Sequence, residues 1–528
     1  MYYNYFKIKF IKEIIVYFFY IIFYNQWHII LKVFSIMNIQ SNKFKSSNLL
    51  LLYILLGLVL HLVSAFFSIG FYSDDEHFQI LEPVAHLMGF NNVIIDDPTG
   101  HYWEWESWAR IRPWLQPYIY YYFISLLKFF GISDPFNWSL AIRLFSSILG
   151  YLSIIYLFFT IKEDFFKKNS NFNYLLFFTF WFYPFLHSRT SSENLSIIFY
   201  VFAFCVLYKQ VKFKNHKLNY FILFNFSLLM GLGLVVKFNL IFAVLPFFLW
   251  ILLFRFHFNR IFFMGLGIIF ALLIGLYIDY IFWGSYKNTY YQYYKHNIIT
   301  GTLDSFGVQP WWYYLSTTII ELAPVLSLFF VIALIVFWLK QPKSIFTWIT
   351  FITIFSFSLF GHKEIRYIFP VYLFAPLFIS YFFETFSKIK FEKFYKALII
   401  ISNIIFLILT LFTPANNKVG VYEFLYNNYN KGENVFYLQN NPYLVNNMEP
   451  FFYTKFLPEI KVLENEYMVK QSLLSNSWII TNIVEEYKEV TYKNNKCKKK
   501  YSTYPEIIMN LNKNWRKLKL NWYIIYCT

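Results

Sequence analysis

Four clusters of ionisable residues lie at the ends of long apolar stretches, and each carries side chains able to do chemistry. The first is Ser73-Asp74-Asp75-Glu76-His77, a group of adjacent carboxylates at the mouth of an apolar segment. A carboxylate so placed can take a proton from an incoming hydroxyl. The plainer reading is a helix cap, which Asp74 or Asp75 would also provide. The second is the polar corner His187-Ser188-Arg189-Thr190-Ser191-Ser192-Glu193, readable as a capped helix start with a snorkelling Arg189. The third is Lys237, flanked by apolar residues and readable as another snorkelling cation. The fourth is Gly361-His362-Lys363-Glu364-Ile365-Arg366, in which His362, Lys363 and Arg366 are potential cations. Arg and Lys satisfy phosphate oxygens with charge-assisted hydrogen bonds, so a phosphate suits this turn. A charged turn closed by its own Lys363–Glu364 pair is the alternative.

The elements that must position these groups are membrane spans. The 528 residues are 58% hydrophobic, and the mean hydropathy of +0.44 excludes an ordinary soluble globule. Ionisable residues near spans are costly and tend to mark function. Stretches long enough to be judged against the ~20 residues of a crossing helix fall at 48–70, 115–131, 138–160, 173–187, 194–208, 218–235, 238–254, 261–283, 313–338, 344–360, 367–386 and 396–413. We therefore expect about 11–13 spans. The net charge of +17 does not indicate nucleic acid, because the bases fall mostly in short loops between spans, as the positive-inside rule requires.

Basic loops orient the spans. Lys162/Lys167/Lys168, Lys209/Lys212/Lys214/Lys217, Arg255/Arg260, Lys340/Lys343 and Lys388/Lys390/Lys393/Lys396 read as cytoplasmic. The four clusters, the 284–312 loop and the tail after Thr413 then share the opposite face. One step resists: passing from an outer 71–112 loop to a cytoplasmic 161–169 loop needs an odd number of crossings, and two candidates lie between. The 71–112 loop itself is unusual. Eight carboxylates and no Lys or Arg lie between Phe71 and Ala109, interleaved with Tyr102, Trp103, Trp105 and Trp108, rings that suit a membrane interface.

Residues 14–37 are apolar but interrupted by Asn25, Gln26 and His28. They admit an extra span, an interfacial helix or an extension upstream of Met37, and 1–47 is set apart as an N-terminal extension. A membrane domain follows over 48–413, with 71–114 as its first outer loop. Hydropathy drops after Thr413, and 414–528 reads as a small extramembrane α/β domain. Its expected elements are strands at Val435–Leu438 and Trp478–Val484 and a helix at Pro505–Leu518. Cys205 reads as a packed thiol, while Cys497 and Cys527 can pair if the tail faces an oxidising compartment. There is no Gly-rich phosphate loop, zinc spacing or Ser/His/Asp elbow.

Five ordered motifs then resemble glycosyltransferase family 22, the polytopic GT-C mannosyltransferases that use dolichyl-phosphate-mannose in GPI-anchor and N-glycan assembly. They are Asp74-Asp75-Glu76-His77-Phe78-Gln79-Ile80-Leu81-Glu82; Tyr102-Trp103-Glu104-Trp105 with Ile111-Arg112; Arg189-Thr190-Ser191-Ser192-Glu193; Asn297, Gly301, Gly307, Pro310, Trp311 and Tyr314; and His362-Lys363-Glu364-Ile365-Arg366-Tyr367. The chain departs from the family pattern at Asp74 (usually Pro), Tyr102 (usually Thr) and Lys237 (usually Arg). The resemblance implies a GT-C fold, metal-independent transfer with inversion at the donor, no cofactor, and Asp75 as base with Glu76 beside it.

The combined expectation is a membrane glycosyltransferase moving a mannosyl or related hexosyl residue from a polyprenyl- or dolichyl-phosphate sugar to a hydroxyl of a glycolipid or lipid-linked glycan. His362, Lys363, Arg366, Arg189 and Lys237 would bind the donor phosphate. Trp103, Glu104, Trp105, Arg112 and Trp311 would line the acceptor path between the 71–112 and 284–312 loops. The membrane would be the endoplasmic reticulum in a eukaryote or the inner membrane in a bacterium, with the site on the non-cytoplasmic face. The rivals are a lipid-linked-sugar transporter or flippase, whose charges belong near the bilayer midplane, and a polysaccharide polymerase.

Overall fold

A computed structural model describes residues 44–90, 102–166, 171–212, 219–386, 389–463, 476–483, 488, 490, 496–505 and 521–528. The readings of 1–43, of Asp96 and Asp97, and of a helix over 506–518 fall outside the described residues. The chain divides into two compact units. One comprises the residues up to Phe66, Glu104–Phe123 and Ile142–Phe412; the other comprises Phe67–Trp103, Ile124–Ala141 and Thr413–Thr528. The expected division at 413/414 differs from this, because 67–103 and 124–141 group with the tail.

The first unit is helical. Five of its described helices are long and apolar enough to cross a membrane: Asn48–Phe67, Pro135–Phe165, Ser192–Val211, Phe258–Trp283 and Glu392–Phe412. Ile365–Tyr372 and Ala375–Thr385 form a further span bent by 51°, and four shorter apolar helices are Tyr220–Val236, Phe238–Phe254, Pro324–Lys340 and Ile345–Ser358. Their outward faces are apolar: Phe262, Ile269, Phe270 and Leu273 on one helix and Ile401, Ile404, Ile405 and Ile408 on another are exposed. Water penalises contiguous exposed patches of this kind, whereas a bilayer accepts them. Small residues bring helices together where no hydrophobic force drives them. A Cβ at Gly231 would lie 2.5 Å from that of Ala271, so Tyr220–Val236 and Phe258–Trp283 approach backbone to backbone.

Two expected spans are broken. The 173–187 stretch forms Asn171–Phe178 and Phe182–His187 with a gap between them. Backbone groups freed in an apolar environment must find partners. Asn403, buried on Glu392–Phe412, supplies them: its amide donates to Thr179 O (2.8 Å) and its carbonyl oxygen accepts from Trp181 N (2.9 Å). The 313–338 stretch divides into Tyr313–Ile320 and Pro324–Lys340, with Pro324 starting the second helix, where its missing N–H costs least. The 115–131 stretch is a helix of only 15 residues, Leu115–Phe129, short of a crossing. Among the described residues between Arg112 and Phe166, Pro135–Phe165 is the helix long and apolar enough to cross a membrane.

The second unit carries a five-stranded sheet of β1 (Asn434–Tyr437), β2 (Lys461–Val462), β3 (Ser477–Thr481), β4 (Cys497–Ser502) and β5 (Tyr523–Cys527) in the order β2-β1-β3-β5-β4. β1 runs parallel to β2 and β3, and β5 antiparallel to β3 and β4. The two expected strands are β1 and β3. Leu438, Ile479, Val490 and Ile525 pack with Cys497 and Cys527, which face each other across β4–β5 and are disulfide-bonded.

Candidate active site

In the helical unit, three chain breaks bring the predicted cations together with carboxylates. Ser191 starts the helix Ser192–Lys212: its Oγ accepts the amide of Asn194 (3.3 Å), a cap that places Glu193 in the first turn. Asn194 in turn holds the corner, donating to Arg189 O (2.7 Å) and His187 O (3.2 Å) while His187 Nδ1 donates to its Oδ1 (3.0 Å). Lys237 sits in extended conformation where Tyr220–Val236 ends and Phe238–Leu240 begins. Arg366 lies in the 3₁₀ turn Ile365–Ile368 that opens the bent span. These breaks put Lys237 Nζ 2.7 Å and Arg366 Nη1 3.5 Å from Glu193 Oε1. Arg366 Nε also donates to Glu364 Oε2, and His362 Nε2 lies 3.1 Å from Glu364 Oε1.

Two adjoining recesses flank this network. A charged one is lined by Glu193, Lys237, Arg366, Asn239, Phe357 and Tyr367 among others. An apolar one of ≈ 130 Å³ shares Asn239, Phe357 and Tyr367 and continues along Phe238, Phe242, Tyr293 and Phe360 to His362. The pair of recesses is amphipathic: cations at one end, aromatic and aliphatic walls beyond.

Lys363, grouped with these cations in the sequence, is directed elsewhere. Its ammonium donates to the carbonyls of Phe360, Gln309 (2.9 Å) and Gly361 (3.4 Å), and neither recess is lined by it. Burial pulls its pKa down, and Asp304 partly restores it. The same turn binds the 301–312 loop through Gln309 N–H to Gly361 O (2.9 Å) and His362 Nδ1 to Gly307 O (3.0 Å). Gly361 allows that approach, since a Cβ there would lie 2.5 Å from Asp304 Oδ1. Arg189 is buried on its own corner, with Nε donating to Phe185 O (3.3 Å). Arg112 forms an ion pair with Glu104 (2.5 Å) and lies over the ring of Tyr293, which lines the apolar recess. Trp105 is buried against Trp114, whereas Trp311 is 68% exposed.

Sequence reading passed over Asp279, a buried carboxylate in the helix Phe258–Trp283. It accepts from Trp114 N (2.9 Å) and Thr289 Oγ1 (2.6 Å), fixing the ends of the 104–114 and 284–299 segments. A lone acid in an apolar helix was the available signal.

In the second unit, Asp74, Asp75 and Glu76 form a single helical turn ahead of a π-helical stretch, His77–Leu81. Ser73, not an aspartate, holds the cap position, and its carbonyl accepts Glu76 N. Amide donors reach Asp74, Glu76 and Glu82. Asn446 donates to Asp74, the amide of Tyr72 to Glu76 Oε2 (2.8 Å), and the amide of Phe452 to Glu82 Oε1 (3.0 Å). Glu82 also meets His77 Nε2 at 2.7 Å, both side chains fully buried. Asp75 is half-buried and Glu76 buried, as expected of neighbours rotated by about 100° on a helix. Burial, reinforced by the charge of Glu82, pushes the pKa of Glu449 up. Trp103, half-buried, ends this part of the second unit, and Glu104 begins the next segment of the first.

The fold is that of a GT-C membrane glycosyltransferase. It aligns with ArnT from Cupriavidus metallidurans, solved bound to undecaprenyl phosphate, at TM-score 0.53 and 10% identity over 90% of this chain and 97% of that one. Residues 51–446 match the Alg9-like mannosyltransferase family, and the chain belongs to that family. Among curated relatives, GPI mannosyltransferase 3 of Debaryomyces hansenii is 23% identical over 78% of this chain and 70% of its own length. Mannosyltransferase APTG1 of Arabidopsis thaliana is 24% identical over 62% of this chain. GPI alpha-1,2-mannosyltransferase 3 of Bos taurus is 25% identical, also over 62%. The matched stretch covers only 57% of the Arabidopsis and 58% of the bovine relative. The transporter reading finds no support in these matches.

Proposed function

We propose that this protein transfers a mannosyl residue from a polyprenyl- or dolichyl-phosphate donor to a hydroxyl of a GPI-type or related glycolipid, without a metal or other cofactor. The observation that carries the reading is the amphipathic pair of recesses. A lipid phosphate has the matching shape, one anionic group joined to an apolar chain, and Lys237 and Arg366 stand where the apolar walls end. The names of the curated relatives and the lipid phosphate bound to ArnT support the same substrate class.

In this reading Lys237 and Arg366 receive the charge that develops on the phosphate as the anomeric C–O bond breaks, with His362 and Glu364 holding Arg366 in place. Preorganised charges of this kind often supply the largest part of catalysis. Asp75, by its place in the acidic motif, is the base that takes the acceptor proton as the new C–O bond forms. The Glu104–Arg112 pair and Trp105 shape the acceptor path. The reading sets the site on the luminal side of the endoplasmic reticulum membrane, which the basic loops and the disulfide in the tail favour.

The test is transfer of labelled mannose from dolichyl-phosphate-mannose to extracted glycolipids by purified protein. No transfer to any glycolipid fraction, in protein shown to be folded, would reject the proposal. Orientation is tested separately by placing a single Cys at Asp304: it should react with an impermeant reagent from the non-cytoplasmic side, and reaction only from the cytoplasmic side would invert the assignment.

A further inference from the structure

The charged recess contains a group that anion binding alone does not call for. Glu193 Oε1 lies 2.7 Å from Lys237 Nζ and 3.5 Å from Arg366 Nη1, and its side chain is only 9% exposed. Glu364 takes the other edge of the same guanidinium. With these ion pairs formed, the recess keeps only ≈ 20 Å³ of free space, so Glu193 holds the place on the cations that an anion would take. A fixed carboxylate this close to a bound phosphate repels it, and in a site screened from water that repulsion is strong.

The chemistry of the reaction gives the carboxylate a use. The donor is a phosphodiester with one negative charge. When the anomeric C–O bond breaks, the sugar carbon bonds to the acceptor oxygen, the acceptor proton passes to the base, and the bond electrons stay on the phosphate. The product is therefore a lipid phosphomonoester, which carries close to two charges at neutral pH because its second pKa is near 6. Donor and product share the lipid chain and the phosphate, and differ at the headgroup by the sugar and one charge. A recess of two bare cations would hold the product more tightly than the donor, and each turnover would end in a trapped enzyme.

We propose that Glu193 is the specificity-determining residue that makes the recess favour the phosphodiester over the phosphomonoester and so releases the spent lipid phosphate. The proposal rests on the donor assignment made above. It acts through charge: the carboxylate repels the doubly charged product about twice as strongly as the singly charged donor, whose one charge Lys237 and Arg366 still meet.

The experiment uses the full chain in detergent or liposomes, with dolichyl phosphate as inhibitor and dolichyl-phosphate-mannose as varied substrate. For wild type, Glu193→Gln and Glu193→Asp, the inhibition constant of the phosphate is compared with the donor KM at pH 7.5 and at pH 5. His362 and Arg366 share Glu364 in all three proteins, so each comparison is made between variants at one pH. At pH 7.5 Glu193→Gln should tighten product inhibition about tenfold relative to donor KM, the scale of one unit charge at close range in a partly screened site. At pH 5, where the product is mostly a monoanion, the ratio should return towards wild type, and Glu193→Asp should keep the wild-type ratio at both values. A purely structural role would shift donor and product together at both pH values, and that result would overturn the proposal. Should Glu193→Gln not fold, Glu193→Ser replaces it, again compared with wild type at each pH, and an unchanged ratio at pH 7.5 overturns the idea. Active transfer with an unchanged ratio rejects the role of Glu193 only; absence of both transfer and inhibition in folded protein rejects the donor assignment with it.

Discussion

The two ionisable regions are built on opposite plans. Around Glu193 each charge faces an opposite one: Lys237 and Arg366 meet Glu193, and Glu364 meets Arg366 and His362. Around Asp75 several carboxylates lie close in sequence, and the amides of Tyr72 and Phe452 and the side chain of Asn446 donate to Glu76, Glu82 and Asp74. The difference fits two tasks. Paired cations are held in position until another anion competes for them, which suits recognition of a phosphate. Carboxylates grouped with one another and reached by amide donors suit acceptance of a proton.

The sharpest way to break the comparison is at Asp75. Asp75→Asn is nearly isosteric, so packing should survive while the ability to accept a full proton is lost. Transfer should fall by about 10²–10⁴-fold with donor binding retained, the usual cost of removing a general base. Glu76→Gln is the matched control, and it should behave differently, because the buried Glu76 accepts a backbone amide from Tyr72. Loss of transfer in Glu76→Gln but not in Asp75→Asn, measured on protein of equal thermal stability, would move the base by one residue.

Arg366 tests the other plan. Arg366→Ala removes one of the partners of both Glu193 and Glu364 and should weaken kcat/KM for the donor by about 2–4 kcal/mol, the range for losing one preorganised charge-stabilising group. Arg366→Lys should recover only part of this, because a point charge cannot serve two carboxylates and a phosphate as a planar fork does. Full activity in Arg366→Ala would return the turn to a structural role and leave Arg189 as the better candidate.

These residues were legible in the sequence because an ionisable side chain stands out in an apolar chain. Asp75, Lys237 and Arg366 needed no structure to be noticed. Their partners did. Glu193 meets Lys237 and Arg366 only after three separate helix breaks converge, and nothing local signals that convergence. The same holds for the gap at 179–181, whose backbone is satisfied by Asn403, 222 residues beyond Trp181. Hydropathy sees an unbroken apolar run there, because the groups that permit the break lie far along the chain. In the tail, β1 and β3 were readable from their β-branched and aromatic runs, whereas the strand order was not, since it depends on which edges pair.

The smallest expected effect separates scaffold from site within one turn. His362, Lys363 and Arg366 look alike in sequence, yet the ammonium of Lys363 is spent on the carbonyls of Phe360, Gln309 and Gly361. The bond to Gln309 ties the 301–312 loop to the turn that carries Arg366. Lys363→Met keeps the length and apolar stem of the side chain and removes its donors, so part-buried carbonyls lose a charged partner at a cost of about 1–3 kcal/mol. The variant should melt earlier, and the loop should gain protease sensitivity near Asp304. The donor KM per folded molecule should change far less than in Arg366→Ala, because the charged recess keeps both Lys237 and Arg366. A loss of donor use as large as that of Arg366→Ala, at unchanged stability, would mean that Lys363 leaves its carbonyls when substrate arrives, and would erase the distinction between the two cations.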